Sequence, residues 1–190
     1  ICQDGKRAYF GVCPEGNATR PPPPRPTETL LAGRYRDHGD GTVTDTQTSR
    51  QWMRCSLGQT WRGGTCAGTA KAYTWELASG AAKDINAQGG YAGYRDWRVP
   101  SREELLSLVY CSSGKPRSWN DTGKWCEGDY SRPTIDTTAF PNTPASVVFW
   151  SASSYGPYSA YAWYVYFGNG NDGAFGKSSV IPARLVRGGQ

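Results

Sequence analysis

Six cysteines in three close pairs constrain this chain more than any other feature. Cys2 and Cys13, Cys55 and Cys66, and Cys111 and Cys126 each bracket a short, turn-rich stretch. No two form a C-x-x-C pair and His38 is the only histidine, so zinc-ligand spacing is absent. An even set of cysteines without metal spacing indicates disulfides made in an oxidising compartment. Many pairings are open to six cysteines; the spacing favours the local ones, Cys2–Cys13, Cys55–Cys66 and Cys111–Cys126, each stapling a loop with little apolar content of its own. A fold of that kind is built from short pieces. The 24 Gly and 13 Pro favour turns and short strands over long helices.

Along the chain, residues 1–19 read as a small disulfide loop or the end of a preceding module. Residues 20–29 form a proline-rich linker, in which Arg20-Pro21-Pro22-Pro23-Pro24-Arg25-Pro26 is expected to adopt polyproline II and act as a spacer. A PxxP ligand is the functional alternative. A main domain then spans 30–190. Tyr35–Asp37 and Thr42–Asp45 flank His38-Gly39-Asp40-Gly41 as a β-hairpin. Asp37, Asp40 and Asp45 invite a calcium reading, but they lack the alternation and the closing Glu of an EF-hand loop, so a structural turn is expected. Gln51–Arg54 reads as a half-buried strand. Thr74 caps a helix from Trp75 to about Asn86, and Ser101 with Glu104 opens a second that runs to Tyr110-Cys111. Asp96–Pro100 is a short buried strand between them. Residues 111–145 are a long stapled loop region, and strands return at Phe149–Ser153, Ala162–Phe167 and Ala183–Arg187. The expected class is α+β: two helices packed on a small, mostly antiparallel sheet with long disulfide-stapled loops, the N-terminal hairpin joining Ala183–Arg187.

The C-terminal window, about 154–182, carries the functional signal. Five of the twelve tyrosines fall between 155 and 166, amid Ser, Gly, Ala and Asn. That is the composition of a recognition surface, because Tyr gives large amphipathic contact at low entropy cost and small polar residues give adaptable hydrogen bonds. Period-two alternation puts Trp163 and Val165 on one side of their strand and Tyr164 and Tyr166 on the other. The candidate ligand-binding residues are Tyr155, Tyr158, Ser159, Tyr161, Tyr166 and Gly168, together with Asn171, Asp172, Ala174, Phe175, Lys177 and Ser178.

Other chemistries find little support. Lys and Arg total 21 against 16 Asp and Glu, giving +5 without a basic run, so a nucleic-acid partner is not indicated. Arg34, Arg36, Arg184 and Arg187 would converge in a small anion-binding patch if the terminal strands pair; stems covering apolar surface are the alternative. No apolar run approaches the ~20 residues of a membrane span, and a chain opening at Ile1-Cys2 reads as a mature or trimmed form. Serine-nucleophile elbow, phosphate loop and metal spacing are all missing, so no enzyme, cofactor or metal site is expected. Trp119-Asn120-Asp121 is similar to a lectin calcium motif but lacks its upstream partner.

Several segments resemble a known family. Asp40-Gly41-Thr42-Val43-Thr44-Asp45 with Gln51-Trp52-Met53, Tyr94-Arg95-Asp96-Trp97-Arg98-Val99-Pro100, Glu103-Glu104-Leu105, Ile135-Asp136, Phe140–Pro144, Phe149-Trp150-Ser151, Ala162-Trp163-Tyr164-Val165 and Arg184–Arg187 are similar, in order over about 33–187, to the Lcl-type C-terminal domain. The resemblance implies a C-type lectin-like fold and a secreted or cell-surface binding domain with an extracellular protein or glycan ligand. In collagen-like bacterial adhesins such domains are homo-trimers that bind sulfated glycosaminoglycans. Relatives also serve as variable proteins of diversity-generating retroelements, in which adenine-directed mutagenesis rewrites a C-terminal window. Randomising the adenines of an Asn codon reaches Tyr, Ser, Asp, Gly, Ala, Phe, Val and Ile, among others, but not Glu, Gln, Met, Trp or Lys. Between 154 and 181 only Trp163 and Lys177 fall outside the reachable set.

Overall fold

The computed structural model describes residues 29–119 and 123–188. The expected Cys2–Cys13 bridge, the proline linker 20–26 and the Asn120-Asp121 pair lie outside the described residues.

The domain opens with β1 (Tyr35–Asp37), β2 (Thr42–Asp45) and β3 (Arg50–Met53), an antiparallel meander in register Arg36↔Thr44 and Val43↔Trp52. Two small hairpin strands follow, β4 (Thr60–Arg62) and β5 (Thr65–Ala67), and then β6 (Ala72–Tyr73). The Cys55–Cys66 disulfide ties that hairpin to the end of β3. Helix α1 (Trp75–Ala87) starts where expected: the Thr74 hydroxyl accepts from Leu77 N–H, and Ala78 and Ala82 face the core.

The second helix is shorter than its sequence suggests. Ser101 and Glu104 do form a capping box, yet α2 covers only Arg102–Leu106. Leu108 and Val109 instead make tight i→i+3 bonds to Leu105 and Leu106, Tyr110 N–H turns to the Thr134 carbonyl, and Val109 bridges to Ile135. Bonding to the 134–135 segment redirects a chain whose apolar periodicity alone would continue the helix. Similarly, 96–100 makes one bridge, Arg98↔Val186, rather than a strand, while Trp97 and Val99 are buried as expected.

After a hairpin of β7 (Pro116–Trp119) and β8 (Gly123–Cys126), closed by Cys111–Cys126, come β9 (Val148–Ser154), β10 (Tyr161–Tyr166), β11 (Asp172–Gly176), β12 (Ile181–Pro182) and β13 (Val186–Arg187). β13 pairs with β3, giving the order β1-β2-β3-β13 and bringing the two ends of the domain together. β12 pairs with β6. The architecture is α+β with small, mostly antiparallel sheets.

The three-stranded sheet β11-β10-β9 divides the interior. Phe149 and Val165 pair across it and pack with Trp52, Leu105, Phe140 and Phe167 on one side. Trp150 and Ala162 belong to the other side, with Ala78, Ala82, Trp97 and Leu185. Alternation along each strand feeds both cores at once. Between β9 and β10 the register slips from Ala162↔Ser154 to Tyr164↔Trp150, which bulges β9 at 151–153. The bulge is bonded on all sides. Ser151 Oγ donates to the Trp163 carbonyl at 2.9 Å, Ala152 N–H to the Pro100 carbonyl at 2.7 Å, and Ser153 Oγ accepts from Arg102 N–H at 3.0 Å. It thereby presses the start of α2 against β10.

Candidate functional site

The β9–β10 connection, 155–160, is a compact turn: Tyr155 N–H bonds the Tyr161 carbonyl, Tyr158 N–H the Tyr155 carbonyl, and Tyr161 N–H the Tyr158 carbonyl. These bonds align three tyrosine rings. Tyr155 and Tyr158 stack with centroids 6.1 Å apart, Tyr158 and Tyr161 lie 6.0 Å apart, and Tyr155 meets Trp163 edge-on at 4.8 Å. Tyr158 is 65% and Tyr161 44% exposed. The result is an aromatic ridge with Trp163 as its pedestal.

Trp163 is held from below. The Arg102 guanidinium lies over its ring at 3.9 Å, and Arg102 Nε donates to the Asp172 carboxylate, which is buried on β11. Register explains the meeting: Trp163 pairs with Ala174 and Val165 with Asp172, so Trp163, Val165 and Asp172 share the face that α2 covers. A cation in the first turn of a helix opposes the helix dipole. That unfavourable placement was the one sequence sign that Arg102 has a partner elsewhere.

The opposite face of the sheet carries a second aromatic pair, Tyr164 and Phe175, with centroids 4.6 Å apart and Phe175 43% exposed. Burial raises the Tyr164 phenol above its ordinary pKa, and the Asp172 charge adds to that. Lys177 follows, its ammonium over the Trp75 ring at 4.1 Å and donating to Ser154 Oγ at 3.1 Å. Its N–H bonds the Ala160 carbonyl, which ties 177 to the tyrosine turn.

Of the twelve residues singled out in the sequence, the structure gathers Tyr155, Tyr158, Ser159, Tyr161, Phe175, Lys177 and Ser178 at this end of the sheet, with Ala174 midway along β11. Tyr166, Gly168, Asn171 and Asp172 lie at the far end. There Tyr166 N–H bonds the Asn171 carbonyl, and Cys126 N–H bonds that of Asn169, next to the Cys111–Cys126 bridge. Gly168 is buried; a Cβ there would sit 2.1 Å from Tyr166 Cζ, and one on Gly173 would sit 2.5 Å from the Tyr164 hydroxyl. Gly168 and Asp172 therefore support the surface from within instead of contributing side chains to it.

The converging arginine patch does not form. Arg34 is bidentate on the buried Asp45, Arg187 bonds Asp96 and Gln51, and Arg184 is wholly buried, donating to the Met53 and Arg54 carbonyls and to Thr143 Oγ1. Pairing the terminal strands brought these arginines inward. Asp37 and Asp40 bond backbone N–H groups of their own turn, and Asp45 bonds Gln47 N–H and Thr48, as a structural turn requires.

Residues 41–187 match the family model of the Lcl C-terminal domain. The chain belongs to that family. In this Lcl domain the match runs from the turn before β2 to the last residue of β13, so it includes the ridge, its pedestal and both cores. No curated protein matches the chain. Among the described residues no helix is long and apolar enough to cross a membrane.

Proposed function

We propose that this Lcl domain is an extracellular ligand-binding module of C-type lectin-like fold, acting by binding and not by catalysis, and that its ligand is a protein met through the ridge Tyr155–Tyr158–Tyr161. The observation that carries the reading is the construction of the ridge. Exposed Tyr158 and Tyr161 stack through the half-buried Tyr155 onto a tryptophan that is itself fixed by an arginine and a buried carboxylate. Pre-ordered aromatic rings lose little freedom on binding and present contact area with a polar tip, which is how strong contact sites are made. The family, one of ligand-binding, adhesin-like domains, fits the same role.

The window also has the composition that adenine-directed diversification leaves, so the finer reading is a variable protein of a diversity-generating retroelement. Support comes from the division of the window. Ser159, Tyr158 and Tyr161 are exposed, whereas the unreachable Trp163 is the pedestal. Sequencing the encoding locus across isolates tests it. A near-copy of the DNA for 150–187 differing only at adenines, beside a reverse transcriptase, is expected; its absence leaves a domain of fixed specificity.

A fixed adhesin for sulfated glycosaminoglycans is the competing reading; of the arginines that would serve it, Arg34 is paired with Asp45, Arg187 with Asp96, and Arg184 is wholly buried. Salt separates the two. Binding through the ridge should change little between low and high salt, while charge-driven glycan binding should weaken steeply.

A further inference from the structure

The outer edge of β11 is open. It is the edge strand of the order β11-β10-β9, and among the described residues no strand lies beyond it. The ladder fixes which backbone groups face outward. Tyr166 N–H bonds the Asn171 carbonyl and Lys177 N–H the Ala160 carbonyl, so in antiparallel alternation residues 171, 173 and 175 and the Lys177 N–H bond toward β10, while the Lys177 carbonyl accepts from Trp75 N–H. The N–H and C=O groups of Asp172, Ala174 and Gly176 then point away from it. Among the described residues, only the Gly176 carbonyl of these has a backbone partner on that side, Ser179 N–H at 2.8 Å.

Exposed edges template an added strand unless they are blunted by charge, proline, a bulge or a cover. β11 has none of the first three. Its sequence, Asp172-Gly173-Ala174-Phe175-Gly176, has no lysine or proline, its pairing with β10 runs without a register shift, and its one carboxylate is turned inward onto Arg102. Its small residues also leave room on both flanks. On one face Ala174 and Gly176 stand beside Trp163 and Tyr161; on the other, Phe175 lies against Tyr164. Lys177, just past the end of β11, sends its ammonium back across β10 to Ser154 Oγ on β9 and to the Trp75 ring, so its charge does not guard the open edge.

We propose that β11 accepts an extended segment of a protein ligand as a fourth strand. The segment presents apolar or aromatic side chains on both faces, one position meeting Phe175 and the next the Trp163–Tyr161 flank. Main-chain bonds to Asp172 and Ala174 supply affinity, and the two aromatic flanks supply specificity. The proposal rests on the reading of the ridge as the recognition surface.

Short random peptides displayed on phage and panned on the whole chain supply the probe. The strongest binder is resynthesised with N-methyl groups at alternate residues, in both registers, and titrated against the chain, Ala174→Pro and Tyr158→Ala. Ala174→Pro removes an outward N–H and leaves the bonds to β10 in place, which an edge strand tolerates. The expected result is a loss of about tenfold or more for one N-methyl register and for Ala174→Pro. Slowed hydrogen exchange at the Ala174 and Asp172 amides of the unmutated chain when peptide is added is expected too, and it decides the matter should Ala174→Pro fail to fold. Failure to recover any binder, indifference to both N-methyl registers, or unchanged exchange at those amides overturns strand addition. Loss with Tyr158→Ala alone leaves ridge recognition standing without strand addition, and loss with neither variant removes both.

Discussion

Replacing Asp172 with Asn tests whether the ridge is anchored as described. The side chain of Asp172 is 1% exposed and that of Arg102 13%, so the pair lies inside the domain. Asn keeps the shape and removes the charge, leaving Arg102 desolvated with only the Trp163 ring for company. Removing one partner of a buried pair costs about 3–5 kcal/mol, chiefly the price of the uncompensated charge left behind. Arg102 is not fully buried and can reach water, so the lower end applies, about 3 kcal/mol. For a domain of this size that corresponds to a melting temperature lower by about 6–12 °C. The assay is thermal and urea unfolding of Asp172→Asn, Arg102→Met and an Arg102→Met/Asp172→Leu double variant. The double variant should recover most of the loss, because well-packed apolar residues can replace a buried ion pair at little cost. An Asp172→Asn protein within about 0.5 kcal/mol of the parent, or a double variant no better than the worse single, would refute the anchoring argument.

Glu104 gives a pH prediction. Burial would raise its carboxyl pKa, but bonds from Arg98, Ser101 N–H and Arg50 outweigh it and pull the group down to about 2. A carboxylate depressed in the folded state contributes stability that is complete above its unfolded pKa and is lost as pH falls toward the folded one. The domain should therefore lose about 3 kcal/mol between about pH 4.5 and pH 2 from this group, and Glu104→Gln should flatten that limb in urea unfolding followed across pH. Reducing or replacing Cys111–Cys126, whose loop spans 15 residues, should cost about 3 kcal/mol by removing a constraint on the unfolded chain, read as a shift in the urea midpoint. Gly168→Ala should cost about 1–3 kcal/mol, since its Cβ would displace the Tyr166 ring, whereas Ser159→Ala and Tyr158→Ala on the exposed turn should each stay within about 0.5 kcal/mol in thermal melts.

Much of this was legible because local chemistry decided it. Thr74 and the Ser101–Glu104 box are caps whose bonds close within three residues. The two described disulfides join neighbours in sequence, and alternation alone gave the faces of β10. What sequence did not show depends on contacts between distant segments. The second helix stops early because Val109 bridges Ile135. The split of the window into a displayed end and a supporting end follows from the β10–β11 turn packing by Cys126, and composition is blind to that. Asp172 looked like its polar neighbours and is instead buried, since its partner Arg102 is 70 residues away.

The arginines show how so irregular a chain holds a rigid surface. Regular ladders satisfy few of its backbone groups, and long-range arginine bonds supply part of the remainder. Arg34 reaches the Ser107 carbonyl, Arg54 the Ala139 carbonyl, Arg184 the Met53 and Arg54 carbonyls, and Arg98 the Gly188 carbonyl. A guanidinium suits this task because its five donors can serve several carbonyls and a carboxylate at once while it keeps its charge. Burial pulls the Arg184 pKa down, and among the described residues no carboxylate bonds it; the Met53 and Arg54 carbonyls, Thr143 Oγ1 and Ser56 Oγ, with the Phe140 ring beside it, solvate it instead. This accounts for part of the basic composition. It also explains where variation can be borne: Tyr158 and Tyr161 join to the frame through backbone bonds and ring contacts and Ser159 is exposed between them, so a different side chain there leaves each of these arginine bonds intact.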